Sequence, residues 1–230
     1  MKVKEVMELR IDIKGCIVPT NDAVIYEYFG IEHTCPRQVV NLLNKSPGET
    51  IDVYINSGGG DVFAGSEIYS ALRERAANVK IHVVGLAASA ASVIACAARS
   101  DISPTAMLMV HNVSGGANGD YHVMEKHADV LKKANETIAA AYCEKCGISK
   151  AEALALMNSE TWLTAEDAVK KGLIDEISAP GAISLVASAS GMLPQSVIEK
   201  TRNMLNKTTV MQKEQAKLNL LKKRGCIDYV

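Results

Sequence analysis

The sequence predicts an α/β fold in which β-α-β units repeat around a mostly parallel sheet. Three observations carry this. Segments with strand periodicity alternate along the chain with segments of helical periodicity, the pattern of crossover-connected parallel strands. One segment, AMLMV (106–110), has no polar side and reads as a strand buried on both faces. The composition is 48% hydrophobic but only 4% aromatic. A core of Ala, Val, Ile and Leu suits helices packed on strands better than a β-sandwich.

The elements follow in order. LRIDIKGCIV (9–18) alternates apolar and polar residues and reads as a half-buried strand. Thr34 and Pro36 mark a helix start, and VVNLL continues it. TIDVYIN (50–56) is a strand with Ile51, Val53 and Ile55 on one face; SGGGD (57–61) reads as a glycine loop. A helix is expected over 62–76, with Ile68 and Leu72 inward and Tyr69 near them. VKIHVV (79–84) is a strand and AASVIACAA (90–98) a helix of small residues. After AMLMV comes a second glycine-rich loop, NVSGGANGD (112–120), then a long helix over about 121–146. Ser149 with Glu152 forms a capping-box pattern for a helix at 150–157. Thr164 and Asp167 repeat it for 165–171, and Gly172 is a natural stop. LIDEIS is a last short strand. No fixed-period repeat is visible. The domain is expected to span 1–178, with 179–230 an extension outside the core. Residues 196–225 of it hold eight Lys/Arg against two Glu, and a solvated tail is the expectation.

Composition excludes several classes. The formal net charge is −1, so no global field draws nucleic acid or an anionic membrane. The six cysteines are scattered in a chain long enough to need no stapling, and they read as reduced thiols of a cytoplasmic protein. MKVKEVMELRID is charged throughout, unlike a signal peptide. The uncharged run IHVVGLAASAASVIACAA (81–98) is mostly alanine and carries His82, Gly85, Ser89 and Ser92. It reads as a buried strand followed by a buried helix rather than a membrane span.

The chemistry-bearing candidates sit at the ends of predicted strands. NSGGGD lacks the Gly-Lys-Ser/Thr of a phosphate loop, and no GxGxxG spacing fits. Three successive glycines let a backbone approach another group closely and aim N–H groups at a ligand, as an oxyanion hole does; a plain turn is the alternative. Ser89, in GLAASAAS, falls where a strand gives way to a helix. It is either a nucleophile beside the helix's free N–H groups or an ordinary N-cap. Ser92 falls within the helix as a small packing residue, and Ala87 and Ala91 rule out a GxSxG elbow. His111 directly follows the strand 106–110, and the carboxyl ends of parallel strands are where open α/β sheets place ligand chemistry. His33, His82, His122 and His127 are less well placed. Glu160, just before Trp162 and the helix cap Thr164, is the better orienting acid; Glu166 and Asp167 favour a helix dipole. Cys143-Glu-Lys-Cys146 has no second pair to complete a four-coordinate zinc site, so neither metal nor cofactor is expected.

Taken in order, INSGGGDVFAG, GLAASAAS, MLMVHNVSGG and ETWLTAEDAVKKGLID resemble the successive signatures of the ClpP endopeptidase family, over roughly residues 10–178. The resemblance implies a ClpP/crotonase-like spiral of β-α-β units with a protruding long helix. It implies Ser89 as nucleophile, His111 as general base and Glu160 at the position of the triad acid. It also implies that the backbone N–H groups of Gly60 and Ala90 form the oxyanion hole. Protein or peptide substrates follow, as does a homo-oligomeric ring, a heptamer or two stacked heptamers, with the helix 121–146 where rings meet. Housekeeping members of the family are fed by a Clp ATPase.

Four departures stand out. Gly58 occupies a position usually held by proline in housekeeping members, Asp61 one held by serine, and Glu160 one held by aspartate. The charged tail has no counterpart in the short housekeeping form. These features resemble the phage and prophage branch, the head-maturation proteases, which act on capsid, scaffold or portal proteins. Two other readings remain open: a crotonase-like acyl-CoA enzyme, which would use a glycine-loop oxyanion hole without a serine–histidine pair, and a catalytically idle ring subunit.

Overall fold

The computed structural model describes residues 9–45 and 49–179, all within the first of the chain's two units, Met1–Gly181. From residue 180 onward, the extension expected at 179–230 lies outside the described residues.

One sheet organises the described residues. Its strands are β1 (Leu9–Ile17), β2 (His33–Thr34), β3 (Ile51–Gly60), β4 (Val79–Ala88), β5 (Arg99–Ile102), β6 (Met107–Val110), β7 (Thr161–Leu163) and β8 (Glu176–Ile177). The order is β2-β1-β3-β4-β5-β8, with β6 on β4 and β7 on β6. Every pairing is parallel except β6–β7. The helices are α1 (Ala23–Phe29), α2 (Pro36–Lys45), α3 (Val62–Arg73), α4 (Ala90–Ala95), α5 (Tyr121–Cys146), α6 (Lys150–Asn158) and α7 (Ala165–Lys170).

Strand alternation separates two faces. Ile11, Ile13, Ile51, Val53, Ile55, Ile81 and Val83 are at most 1% exposed and share one core with Val39, Leu43, Ile68, Leu72 and Ile94 from the helices. Each such side chain is worth roughly 1.5–3 kcal/mol of burial. The opposite face carries a polar ladder. Arg10 lies over the Tyr54 ring, Tyr54 stacks on His82, and His82 bonds Asp101 and Asp52.

The run 81–98 is a strand and a helix, as its alanine content implied, and among the described residues no helix is long and apolar enough to cross a membrane. The long helix runs over the expected residues, and the Ser149–Glu152 capping box closes in both directions. Four elements were not legible. The strands β2, β5 and β7 have two to four residues each, too few to show a period. The helix α1 (AVIYEYF) exposes Val24, Ile25, Tyr28 and Phe29, so it has no clean amphipathic stripe.

The largest correction concerns the glycines. Residues 57–60, expected as loop, continue β3 and keep pairing with β1 as far as Ile17–Gly60. Glycine loses strand propensity but permits close approach, and here the approach decides. A Cβ on Gly60 (φ +152°) would stand 2.1 Å from the carbonyl oxygen of Ile17. Similarly, β4, expected over 79–84, runs four residues further to Ala88, because its end changes partner. Lys80–Val83 pair with β5, whereas Leu86–Ala88 pair with β6.

Candidate active site

That change of partner builds the site. At the end of β4, Ala88 lies opposite Met109 of β6, and the Ser89 amide donates to the Met109 carbonyl at 3.0 Å. Ser89 is the first residue beyond β4, and His111 is the first beyond β6. Two parallel strands ending side by side therefore deliver both residues to the same edge. The Oγ of Ser89 lies 2.7 Å from Nε2 of His111, within reach for the hydroxyl to donate to the ring nitrogen.

Ser89 stands at the N-cap position of α4, but its side chain caps nothing. Its backbone is held at φ 56°, ψ −124°. Among the described residues only Ser89 and Glu160 are non-glycine with positive φ. Such a conformation costs on the order of 1–3 kcal/mol and persists where the surroundings over-determine it. Here they do. Ser92 Oγ donates to the Ser89 carbonyl at 2.7 Å, and the Tyr142 hydroxyl of α5 lies 2.8 Å from Ser92 Oγ. The serine proton is spent on the carbonyl, so Tyr142 is the donor to Ser92. Ser92 is fully buried, in keeping with its reading as a packing residue.

The glycine strand lies directly on this turn. A Cβ on Gly59 would stand 2.7 Å from Ser89 Cβ and 3.0 Å from the Ala90 amide nitrogen. Buried Ser57 steadies the approach: its Oγ donates to the Gly15 carbonyl at 2.6 Å and accepts from the Gly59 amide at 3.1 Å. Gly60 ends β3 and Ala90 opens α4, where helix N–H groups have no intrahelical partner. A Cβ on Gly65 of α3 would meet Ala90 Cβ at 2.9 Å, so α3 and α4 cross as closely as their side chains permit. Asp61 has a local role: it is the N-cap of α3, accepting from the Ala64 amide at 2.8 Å.

The two residues after His111 are tied to α5 and α6. Asn135 of α5 accepts from the Val113 amide at 2.7 Å, and Asn112 Nδ2 donates to Asn158 Oδ1 at 2.9 Å. The antiparallel pair Val110–Thr161 brings β7 alongside, and one step further on each strand lie His111 and Glu160. The Glu160 carboxylate is not hydrogen-bonded to the histidine; its Oε1 accepts from the Trp162 indole at 3.3 Å. No carboxylate among the described residues bonds His111 Nδ1.

Sequence reasoning singled out the serine, the histidine and the glycines but missed the groups that hold them. Ser57, Tyr142, Asn112, Asn135 and Asn158 gave no signal, because each acts through a hydrogen bond to a group distant in sequence. The pair Cys143 and Cys146 forms no disulfide, and burial pushes the Cys146 thiol up to about 11. Among the described residues no group of three or more His, Cys, Asp or Glu is placed to hold a metal ion.

Comparison with known proteins agrees with this layout. A family model described as Clp protease matches residues 27–181. An ATP-dependent Clp protease proteolytic subunit of Bacteroides fragilis is 32% identical over 148 residues, covering 63% of this chain and 72% of the relative. The protein of the same name from Bacteroides thetaiotaomicron is 30% identical over 148 residues, covering 63% of this chain and 67% of the relative.

Proposed function

The chain belongs to the Clp protease family of serine peptidases, and from that premise we propose that Ser89 is its nucleophile and His111 its general base. The observation that carries the assignment is the 2.7 Å Ser89–His111 hydrogen bond. His111 Nε2 takes the hydroxyl proton as Ser89 Oγ attacks the peptide carbonyl. The tetrahedral oxyanion is held by the N–H groups of Gly60 and Ala90. Collapse of that intermediate passes the proton from His111 to the leaving amine and leaves an acyl-serine. Water, deprotonated by the same imidazole, then releases the acid. One oxyanion donor of this kind is worth about 10²–10³ in rate. Glu160 is the orienting acid in this scheme, and its carboxylate must turn from the Trp162 indole to the histidine to act.

The test is labelling of the purified full-length protein with a fluorophosphonate, the adduct located by mass spectrometry. A label on Ser89 that is absent from Ser89→Ala is expected, together with a loss of turnover of roughly 10⁶. A label on Ser92, or one that survives Ser89→Ala, refutes the assignment.

The working form in this proposal is a homo-oligomeric ring. The support is α5, whose first four turns from Tyr121 leave Tyr121, Val123, Met124 and Val130 exposed, 43–66% each. The finer role is that of a prophage protease processing capsid, scaffold or portal proteins. It is supported by Gly58, Asp61 and Glu160 at positions where housekeeping members differ. A second reading, a subunit fed by a Clp ATPase, is favoured by the names of the Bacteroides relatives. Degradation of a folded substrate only when a Clp ATPase and ATP are added selects the second reading. Cleavage of a capsid precursor without either selects the first.

A further inference from the structure

The β3–β4 ladder breaks once, and the break lies just before the site. Ile55 of β3 pairs with Val83 of β4, but the next pairing is Ser57 with Ala87. Over that interval β3 advances two residues and β4 advances four, so Val84, Gly85 and Leu86 stand opposite Asn56 alone. In the same interval β4 leaves β5, last paired at Val83, and takes up β6, first paired at Leu86. A bulge of this kind bends its strand and re-aims the residues that follow.

Hydrophobic alternation does not select this register. A slip of one residue turns every side chain to the other face, but a slip of two returns each to its own face. An unbulged β4 would therefore keep its apolar residues inward, with Ser57 opposite Gly85. Ser89, which now lies against Gly59, would be carried two residues past it. At roughly 3.3 Å per residue that is about 7 Å, whereas Ser89 Oγ stands 2.7 Å from His111 Nε2. Something other than burial must hold the two extra residues in place.

Asn56 is placed to do so. Its Oδ1 accepts from the Leu86 amide at 3.1 Å, a side-chain acceptor set in the break between two stretches of ladder. Gly85 makes room for it. A Cβ there would stand 2.4 Å from Asn56 Oδ1 and 2.9 Å from its Cγ, so the amide lies against the Gly85 backbone. Glycine inside a strand commonly marks a bulge or the close approach of another group, and here it marks both. Asn56 itself is exposed, so it has little core packing to lose.

We propose that Asn56 is a positioning residue for the reaction: with Gly85 it fixes the two-residue bulge that delivers Ser89 to His111. It acts through the path of β4 rather than on the reacting atoms. The inference rests on the Ser89–His111 assignment and deepens it by naming what sets their separation.

The test compares full-length wild type with Asn56→Ala, Asn56→Asp and Gly85→Ala. The readouts are the rate of fluorophosphonate labelling at Ser89, kcat and KM on one fluorogenic peptide, and urea denaturation. Asn56→Ala is expected to lower the labelling rate and kcat by about 10–100-fold, the scale of a misplacement approaching 1 Å. KM should move little, the pattern of a loss felt in the transition state alone. Asn56→Asp should recover most of the rate, because a carboxylate oxygen accepts the same N–H. Gly85→Ala, which drives a Cβ into the amide, should match Asn56→Ala. If Asn56→Ala does not fold, Asn56→Gln, with its amide one methylene further out, takes its place with the same expected loss. A folded Asn56→Ala or Asn56→Gln that is labelled and turns over at wild-type rates overturns the inference and leaves the nucleophile assignment standing. So does an equal fall in Asn56→Asp and Asn56→Ala. Wild-type protein that folds yet takes no label overturns the nucleophile assignment, and the inference falls with it.

Discussion

Replacing one glycine with alanine distinguishes two neighbours that look alike in sequence. At Gly59 the backbone has φ +91°, which L-residues rarely adopt. The added Cβ would stand 2.6 Å from the Ala88 carbonyl oxygen and 2.7 Å from Ser89 Cβ, with the Ala90 nitrogen at 3.0 Å. Two of these three atoms are backbone, so the turn itself must shift rather than a flexible side chain. Backbone strain of about 1–2 kcal/mol and overpacking of about 1–3 kcal/mol add to roughly 2–5 kcal/mol of lost stability. The shift also moves Ser89 and the Ala90 amide relative to each other, and a misplacement near 1 Å costs about 10²-fold in rate. At Gly58, in contrast, nothing lies within 4 Å of the added Cβ. Gly58→Ala is therefore expected to change stability by no more than about 0.5 kcal/mol. Urea denaturation and kcat/KM on a peptide substrate check both variants. Wild-type stability and rate in Gly59→Ala, or equal damage from Gly58→Ala, would refute the claim that β3 presses on the Ser89 turn.

Two further predictions concern side chains outside that contact. If Glu160 orients His111 during turnover, Glu160→Gln lowers kcat by about 10²–10⁴, while Trp162→Phe, which frees the carboxylate from the indole, lowers it far less; equal rates for Glu160→Gln and wild type in a peptide assay would remove Glu160 from the mechanism. His82 has Nδ1 at 2.9 Å from Asp101 and Nε2 at 3.1 Å from Asp52, so both ring nitrogens must donate and the imidazolium is favoured. Its pKa is raised, chiefly by the Asp101 hydrogen bond, against an opposing effect of burial and with help from Asp52. A raised folded pKa means stabilisation fully present below about 6.5 and lost as pH rises through the folded value. The urea midpoint should fall as pH rises through that range, whereas His82→Gln should be flat there and weaker at low pH by about 1–2 kcal/mol.

The parts of this protein that were legible in the sequence are those set by local pattern. Long strands with alternating apolar residues, capped helices and the order of the motifs follow from composition along a few turns of chain. Illegible parts depend on what a segment meets. SGGG carries every local signal of a loop, yet it continues β3 by pairing with β1 as far as Ile17–Gly60, and at Gly59 and Gly60 the Ser89 turn and the Ile17 carbonyl leave no room for a Cβ. The strand signal of VKIHVV ends at Val84, yet Leu86–Ala88 stay extended because β6 pairs with them. Asp61, seen in the sequence as a departure from serine, turns out to have the ordinary task of capping α3.

The two positive-φ residues tie these threads together. Ser89 and Glu160 both violate a local rule, and both lie next to His111, one across a parallel pairing and the other across an antiparallel one. Each occupies the first position beyond, or before, a strand that pairs with β6 or is flanked by it, where the ladder can hold a backbone that propensity alone would relax. A strained residue of this kind costs on the order of 1–3 kcal/mol, a sizeable share of a typical domain's 5–15 kcal/mol stability. Chance would scatter such costs over exposed turns, where glycine or asparagine removes them. Their concentration on both sides of one imidazole points instead to positions where a particular side chain has to be presented in a particular direction. For Ser89 that direction is toward His111 Nε2. For Glu160 the backbone stands one step before β7, which pairs with the strand that leads to His111, and the carboxylate is directed to the Trp162 indole.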